Sequence, residues 1–260
     1  MSVKASKVRA DERLVHLALV ESRNKAQALI MRGKVEYYDE RAASWKAVEK
    51  AGQQISETAA LRLVGEEDKY VGRGAYKLLQ ALESWPQIPS SGARCLDIGS
   101  STGGFTQVLL ERGATHVVAL DVGTNQLHEK LRSHAGVLSL EKQHVLKMDE
   151  ARWREVGIEP SFDIIVSDLS FISLTKIIPH AWAWLRDGGH WVMLVKPQFE
   201  LEPSKVPRGI VKDPKHRKEA LDKVVACILN CPLARVNASE DCRTQGAEGN
   251  TEYLLWVTKN

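Results

Sequence analysis

The stretch from Cys95 to Phe105, Cys-Leu-Asp-Ile-Gly-Ser-Ser-Thr-Gly-Gly-Phe, constrains the fold of this 260-residue chain more than any other. A short apolar run ends at Gly99, and small polar residues with two further glycines lead into an amphipathic segment that reaches Arg112. This pattern predicts a strand, a tight turn and a helix. Glycines let a backbone approach a ligand closely, and free N–H groups at a helix start can bond its acceptor atoms. The stretch therefore predicts a cofactor-binding loop.

The loop differs from the dinucleotide fingerprint G-x-G-x-x-G, because Ser101 stands where the second glycine is expected. The carboxylate of Asp97, expected at the mouth of the loop, would repel a pyrophosphate and attract an ammonium or a sulfonium group. S-adenosylmethionine carries both cations, so the loop favours that cofactor. An ordinary βα turn is the alternative, since glycine-rich turns occur in all α/β proteins.

Apolar strands alternate with helical segments from Cys95 onward. The predicted strands cover residues 95–98, 116–120, 137–140, 162–168 and 190–196. This alternation predicts an α/β fold with a doubly wound, mainly parallel, Rossmann-like sheet. A helix around 215–230 and apolar runs near 233–236 and 253–258 predict a closing antiparallel pair.

Polar residues stand at the ends of these predicted strands, where ligands bind in such sheets. In chain order they are Asp97 with Gly99, Asp121, Glu141, Asp168 and Lys196. Asp121 follows Asp97 by 24 positions, a separation at which a carboxylate accepts hydrogen bonds from the ribose of NAD or of S-adenosylmethionine. Each of these residues taken alone could instead cap a helix or carry a solvated loop charge.

The basic excess of the chain lies near its N-terminus. Residues 1–64 hold 12 Lys and Arg against 8 Asp and Glu, and the remainder holds 24 against 25. Residues 9–36 predict two short helices and a strand, with Ser22 capping the second helix and Gly33 ending it. Lys25 and Arg32 share one face of that helix. This face predicts phosphate contacts, and a hairpin used only for packing or dimerisation is the alternative.

Arg13-Leu-Val, Ser22-Arg23, Ala26, Leu29-Ile30 and Gly33-Lys-Val together resemble the S4-type RNA-binding module. The chain departs from that module at Tyr37-Tyr38-Asp39, where an Asn-Gly turn is usual. The resemblance implies RNA contacts by Arg9, Arg13, Arg23, Lys25, Arg32 and Lys34.

Cysteine usage and hydropathy exclude several classes of protein. The four cysteines, at 95, 227, 231 and 242, lack disulfide or metal-knuckle spacing, so we expect reduced thiols and no metal site. The first nine residues include three basic ones and lack the apolar run of a signal peptide. No later segment approaches the about 20 apolar residues of a membrane span. We therefore expect a cytoplasmic protein without a membrane partner. The sequence specifies no oligomeric state.

Six motifs spread over almost the whole chain resemble the TlyA family. They are Tyr70-Val-Gly-Arg-Gly-Ala-Tyr-Lys77, Asp97 to Phe105, Asp121 to Leu127, Asp168 to Leu174, Val195 to Glu200, and Gly249 to Glu252. The resemblance implies an S4-like domain over residues 1–64, a linker over 65–75, and an FtsJ-like methyltransferase domain over 76–260. It implies 2′-O-methylation of cytidine ribose in the RNA of ribosomal subunits, with S-adenosylmethionine as cofactor. The chain departs from the family at Ala75, usually Gly, and at His144, usually Asn.

The resemblance also implies the site residues. The Lys-Asp-Lys-Glu tetrad of the family falls on Lys77, Asp168, Lys196 and Glu252, with Lys196 as the central amine. A ribose hydroxyl that attacks a methyl sulfonium loses a proton, and a neutral lysine can accept it. Without the resemblance, Lys77 is expected to be a solvated helix residue. The expected cofactor-binding residues are Asp97, Gly99, Ser101, Gly103, Phe105, Asp121, Glu141 and Asp168.

Three other functions compete with this one. A non-catalytic RNA-binding or ribosome-assembly factor would not need all four tetrad residues. A haemolysin would need a signal, a span or a long amphipathic membrane face, and the sequence predicts none of these. A nicotinamide oxidoreductase is compatible with the fold alone.

Overall fold

The computed structural model describes residues 6–31, 33–40, 42–64, 69–244, 246 and 249–260. Arg32, an expected RNA contact, and residues 65–68 of the expected linker lie outside this part of the chain. The chain forms two compact units, Met1–Lys69 and Tyr70–Asn260. Among the described residues, none of the helices combines the length and the apolar character needed to cross a bilayer.

The N-terminal unit packs two helices with short antiparallel strands. Its elements are β1 (Lys7–Arg9), α1 (Ala10–His16), α2 (Arg23–Met31), β2 (Val35–Asp39), β3 (Ser44–Ala47), β4 (Gln54–Ser56) and β5 (Leu61–Leu63). Strand β1 pairs with β4, and β2 lies between β3 and β5. The predicted helices and the cap are confirmed, because Ser22 Oγ accepts a hydrogen bond from the Lys25 N–H at 3.2 Å and Gly33 takes φ +67°. The core includes Leu14, Ala26, Ile30, Val35 and Ile55.

The C-terminal unit is built on one seven-stranded sheet. Its strands are β6 (Arg94–Ile98), β7 (His116–Leu120), β8 (Val137–Leu140), β9 (Phe162–Ser167), β10 (Leu185–Val195), β11 (Ala234–Asp241) and β12 (Tyr253–Lys259). Its helices are α3 (Ala75–Ser84), α4 (Gly104–Glu111), α5 (Glu129–Arg132), α6 (Glu150–Glu155), α7 (Leu174–Ala181), α8 (Pro197–Glu200) and α9 (Pro214–Leu229).

The strand order is β11-β12-β10-β9-β6-β7-β8. Strands β6 to β10 are parallel, and β12 runs antiparallel to both β10 and β11. The predicted doubly wound sheet and its closing antiparallel pair are confirmed. Strand β10 begins at Leu185 and not at residue 190, because the pairing with β9 starts there and shifts register before His190.

The sheet is buried on both faces, as the apolar strands require. Successive side chains of one strand point to opposite faces, so Leu96 packs into one core and Cys95 into the other. Trp191 likewise packs into the core that contains Leu96, and Val192 into the core that contains Cys95. The order of the strands positions the site, because the chain leaves β6 toward β7 and β8 and later returns to β9 on the other side of β6. Ligands bind at such a switch point, beyond the carboxyl ends of the strands.

Candidate active site

A cavity of about 530 Å³ lies beyond the carboxyl ends of β6, β7 and β9. The sequence predicted the cofactor site at these ends, and four of the expected residues line the cavity: Gly99, Ser101, Asp121 and Asp168. His144 and Phe171 line it as well. Its volume is that of a site for a small molecule.

The loop after β6 takes a backbone path that only glycine follows easily. Gly99 has φ +85°, and a Cβ atom placed there would lie 2.7 Å from the carbonyl oxygen of Asp168. Gly103 has φ +95°, and a Cβ there would collide with Leu127 and Leu131. Gly99 therefore lets the ends of β6 and β9 meet, and Gly103 lets α4 begin close to the side chains of Leu127 and Leu131.

Asp97 does not stand at the mouth of the loop, and that expectation is wrong. Its side chain is fully buried, and its Oδ2 accepts hydrogen bonds from the Thr106 N–H at 3.0 Å and the Thr106 hydroxyl at 2.7 Å. The Asp97 carboxylate therefore joins β6 to the first turn of α4. Its Oδ1 is buried without a hydrogen-bond partner among the described residues. Burial raises the pKa of Asp97 to about 7.

Asp121 and Glu141 organise the loops beside the cavity. Asp121 accepts hydrogen bonds from the Ser101 N–H at 2.8 Å and the Gly123 N–H at 2.7 Å, and so joins the loops after β6 and β7. Glu141 accepts three backbone N–H groups, from Leu127, Asn125 and Gln126, which hold its pKa below the ordinary value.

The other expected cofactor residues lie away from the cavity wall. Glu141, Gly103, Phe105 and Asp97 are not among the residues that line it. The Phe105 ring is buried in the core that holds Ala75 and Leu78. On the wall, His144 accepts a hydrogen bond from the Leu146 N–H at its Nδ1.

The four tetrad side chains come together at this edge of the sheet. Lys196 Nζ lies 2.6 Å from Asp168 Oδ1, and Lys77 Nζ lies 3.5 Å from Asp168 Oδ2. Lys77 Nζ also donates to Glu252 Oε2 at 2.7 Å. Each of the four side chains is at most 20% exposed. The two lysines thus share one carboxylate, one on each oxygen.

Lys77 is buried, so its expected place as a solvated helix residue is wrong. Burial lowers the pKa of an amine, but Asp168 and Glu252 together outweigh this effect, and the pKa of Lys77 is raised. Lys77 is therefore an ammonium ion at neutral pH. The two amines and two carboxylates of the tetrad thus form one connected cluster of ion pairs.

Residues without a predicted role also belong to this site. Ser170 Oγ accepts a hydrogen bond from Lys196 Nζ at 3.1 Å. Phe171 has φ +66°, is 91% exposed, and lies beside Phe199 with ring centroids 5.3 Å apart. Buried Glu200 accepts hydrogen bonds from the Ser173 hydroxyl and the Leu174 N–H. Their signal is the pair of motifs Ser-Phe-Ile-Ser-Leu and Lys-Pro-Gln-Phe-Glu, which contain all of these residues.

Two of the expected RNA contacts of the N-terminal unit, Arg9 and Arg23, bind a buried acid. Asp11 accepts hydrogen bonds from Arg9 at 2.9 and 3.0 Å, from Arg23 at 3.0 Å and from Gln27 at 3.0 Å. The Arg9 bond above all holds the pKa of Asp11 well below its ordinary value. Lys25 is exposed, Arg13 and Lys34 are half-buried, and both arginines that contact Asp11 keep an exposed part.

Comparison with known proteins gives four relationships. A family model described as FtsJ-like methyltransferase matches residues 70–259. The 16S/23S rRNA (cytidine-2'-O)-methyltransferase TlyA of Mycobacterium tuberculosis is 40% identical over 257 residues, which are 97% of this chain and 90% of the relative. Hemolysin A of Brachyspira hyodysenteriae is 38% identical over 248 residues, 95% of this chain and 98% of the relative. A solved structure of a candidate hemolysin from Streptococcus thermophilus superposes with a TM-score of 0.72 at 34% identity, covering 99% of this chain and 90% of that one.

Proposed function

The chain belongs to the FtsJ-like methyltransferase family and, within it, to the TlyA family, and from this premise we propose that it methylates the 2′ hydroxyl of cytidine in ribosomal RNA. S-adenosylmethionine is the proposed methyl donor, and the cytoplasm is the proposed site of action. The observation that carries the proposal is the buried tetrad of Lys77, Asp168, Lys196 and Glu252 beside the cavity. A non-catalytic RNA-binding factor has no need of two buried lysines at this edge of the sheet.

The residues around the cavity fit S-adenosylmethionine. Asp97 does not line the cavity, so the fit rests on the residues that do, among them Gly99, Ser101 and Asp121. Asp121 accepts two backbone N–H groups, and an ionised carboxylate has about four lone-pair sites, so it can still accept from ribose hydroxyls. Gly99 lines the cavity without a side chain, so a ligand can approach the backbone of the loop there. S-adenosylmethionine, when bound, supplies a methyl group activated by its sulfonium.

Lys196 is the proposed base of the reaction. Lys77 contacts both Asp168 and Glu252, which raise its pKa. Lys196 contacts one carboxylate of the described residues, that of Asp168, so we assign the proton transfer to Lys196. Asp168 Oδ1 and Ser170 Oγ orient its Nζ. In this proposal Lys196 Nζ accepts the proton of the 2′ hydroxyl. Bound S-adenosylmethionine would supply the methyl carbon, whose bond to sulfur would break as the oxygen–carbon bond forms, with the thioether as the leaving group. Lys77 and Glu252 act by holding Asp168 and the charge balance in place.

The N-terminal unit is proposed to be the S4-like RNA-binding domain, over residues 1–64. Asp11 binds both Arg9 and Arg23. Lys25 adds an exposed charge on α2, the helix that begins at Arg23. Guanidinium groups fixed in this way are suited to phosphate oxygens.

The proposal is tested by mapping 2′-O-methylated riboses in ribosomal RNA from cells with and without the gene. Purified protein should restore the missing methyl groups on subunits from the deletion strain when S-adenosylmethionine is added. Titration of the protein with S-adenosylmethionine and with NAD separates the two cofactor classes. Binding of NAD alone, or identical methylation maps, would overturn the proposal.

A further inference from the structure

The connection between α8 and α9 is a basic segment outside the tetrad and outside the cavity lining. The segment from Lys205 to Lys215, called here the basic segment, contains four Lys or Arg residues and one acid, Asp213. One-turn 3-10 helices at Pro203–Lys205 and Pro207–Gly209 give it a defined path. It is exposed over most of its length.

Asn250 ties this segment to the catalytic site. Its side chain is buried, its Oδ1 accepts the Val211 N–H at 3.0 Å, and its Nδ2 donates to the Gly209 carbonyl at 2.8 Å. Asn250 precedes Glu252 by two residues, so their Cα atoms are at most about 7.6 Å apart. The basic segment is therefore fixed within a short distance of the carboxylate that binds Lys77.

Arg208 stands in this segment in a backbone conformation that favours glycine. Its φ is +57° and its ψ is 31°, in the left-handed region, and its side chain is exposed. Backbone strain of this kind concentrates at functional sites, where the surrounding structure maintains it. Here Asn250 holds the following residues, Gly209 and Val211, in place.

Three cations of the segment remain available to a partner. Lys205 pairs with Glu219, but no carboxylate of the described residues forms an ion pair with Arg208, Lys212 or Lys215. All three are exposed. The carboxylate of Asp213 accepts the Lys215 N–H at 2.8 Å and caps α9. Unpaired cations on a segment whose backbone is held near the site are suited to the phosphates of a nucleic-acid backbone.

We propose that the basic segment binds the RNA backbone next to the target nucleotide through Arg208, Lys212 and Lys215. This inference rests on the proposed function, and it places phosphate contacts on the catalytic unit in addition to those of the N-terminal unit. Such contacts orient the substrate without reading its bases.

The test compares two triple variants that lose the same charge. Arg208→Ala with Lys212→Ala and Lys215→Ala removes the proposed contacts. Arg112→Ala with Arg154→Ala and Arg235→Ala removes three exposed arginines. They lie near the amino ends of β7, β9 and β11, at the edge of the sheet opposite the site. Binding to ribosomal subunits from a deletion strain is measured against salt, and KM and kcat for methyl transfer are measured separately.

For the first triple variant we expect a KM for subunits about 10- to 100-fold higher, a salt slope smaller by about 2 to 3, and an unchanged affinity for S-adenosylmethionine. The control triple variant should match the wild type. Equal salt slopes and KM values for the two variants would overturn the inference. Binding does not require turnover, so a wild-type protein that binds subunits but transfers no methyl group would contradict the proposed function alone.

Arg208→Gly separates RNA binding from folding. Glycine relieves the backbone strain, so its Tm should equal or exceed that of the wild type, while KM rises about 3- to 10-fold. Arg208→Lys should keep most of the affinity.

Discussion

Lys196 Nζ lies 2.6 Å from Oδ1 of Asp168, at the carboxyl ends of the adjacent parallel strands β10 and β9. The other oxygen of the same carboxylate is 3.5 Å from Lys77 Nζ, and Lys77 is in turn held by Glu252. The two chemically identical amines therefore have different surroundings. Lys77 contacts two carboxylates, whereas Lys196 contacts the Asp168 carboxylate and the Ser170 hydroxyl.

Glu252→Ala should destabilise the C-terminal unit, because the buried Lys77 ammonium keeps only the longer contact with Asp168. Removing one partner of a buried ion pair costs about 3 kcal/mol or more. Urea unfolding followed by tryptophan fluorescence measures the effect. The control is Glu150→Ala, which removes an exposed ion pair with Arg154 and should change stability by less than about 1 kcal/mol. Equal stabilities of the two variants would contradict the buried pairing.

Asp97 should make the stability of the ligand-free protein fall as pH rises between about 4 and 7. Its pKa is raised by burial to about 7, so the folded state binds a proton over this range that the unfolded state has released. The loss amounts to about 4 kcal/mol at most. Asp97→Asn removes this dependence, and the difference between the two unfolding curves against pH measures it. A constant difference from pH 4 to 7 would show that Asp97 is ionised throughout.

Gly99→Ala should disrupt the site more than Gly188→Ala, an alanine substitution at another glycine of positive φ. Both Gly99 and Gly188 have positive φ, at +85° and +75°, but a Cβ meets the Asp168 carbonyl only at Gly99 and nothing within 4 Å at Gly188. Both variants should lose about 1 kcal/mol of stability from strain. Gly99→Ala alone should weaken binding of S-adenosylmethionine at least 10-fold, as measured by calorimetry. Equal affinities would remove the loop from the proposed cofactor site.

Lys25→Ala should weaken binding to ribosomal RNA and lower its salt slope by about 1, with stability unchanged, because this lysine is exposed. The double variant Arg23→Ala with Lys25→Ala should lower the slope further. It should also lose stability, because Arg23 binds buried Asp11. Filter binding at several salt concentrations gives the slopes, and thermal unfolding gives the stabilities. A slope that neither variant changes would discredit the proposed RNA contacts on α2.

The sequence predicted most of the fold, because alternating apolar strands and helices leave few arrangements for a parallel sheet. It also indicated the edge where Asp121, Asp168 and Lys196 meet, since all three follow buried strands. It could not predict which carboxylates are buried. Asp97 and Glu141 both stand near strand ends. Asp97 binds the first turn of α4, whereas Glu141 binds three N–H groups of a loop.

Long-range packing decided the remaining features of the site. Lys77 lies on a helix that looks partly solvated in the sequence, and its partner Glu252 is 175 residues away. The positive φ of Phe171 and of Arg208 depends on contacts of the folded chain and leaves no local signal in the sequence.

The most direct measurement is transfer of a labelled methyl group to ribosomal subunits from a deletion strain by wild-type protein and by Lys196→Ala. We predict label at a cytidine 2′ oxygen with the wild type, and at least a 100-fold lower rate with Lys196→Ala, at nearly unchanged affinity for S-adenosylmethionine. Lys176→Ala, on helix α7 and outside the tetrad, serves as the matched control and should be fully active. Equal rates for the wild type and Lys196→Ala would contradict the assignment of Lys196 as the base.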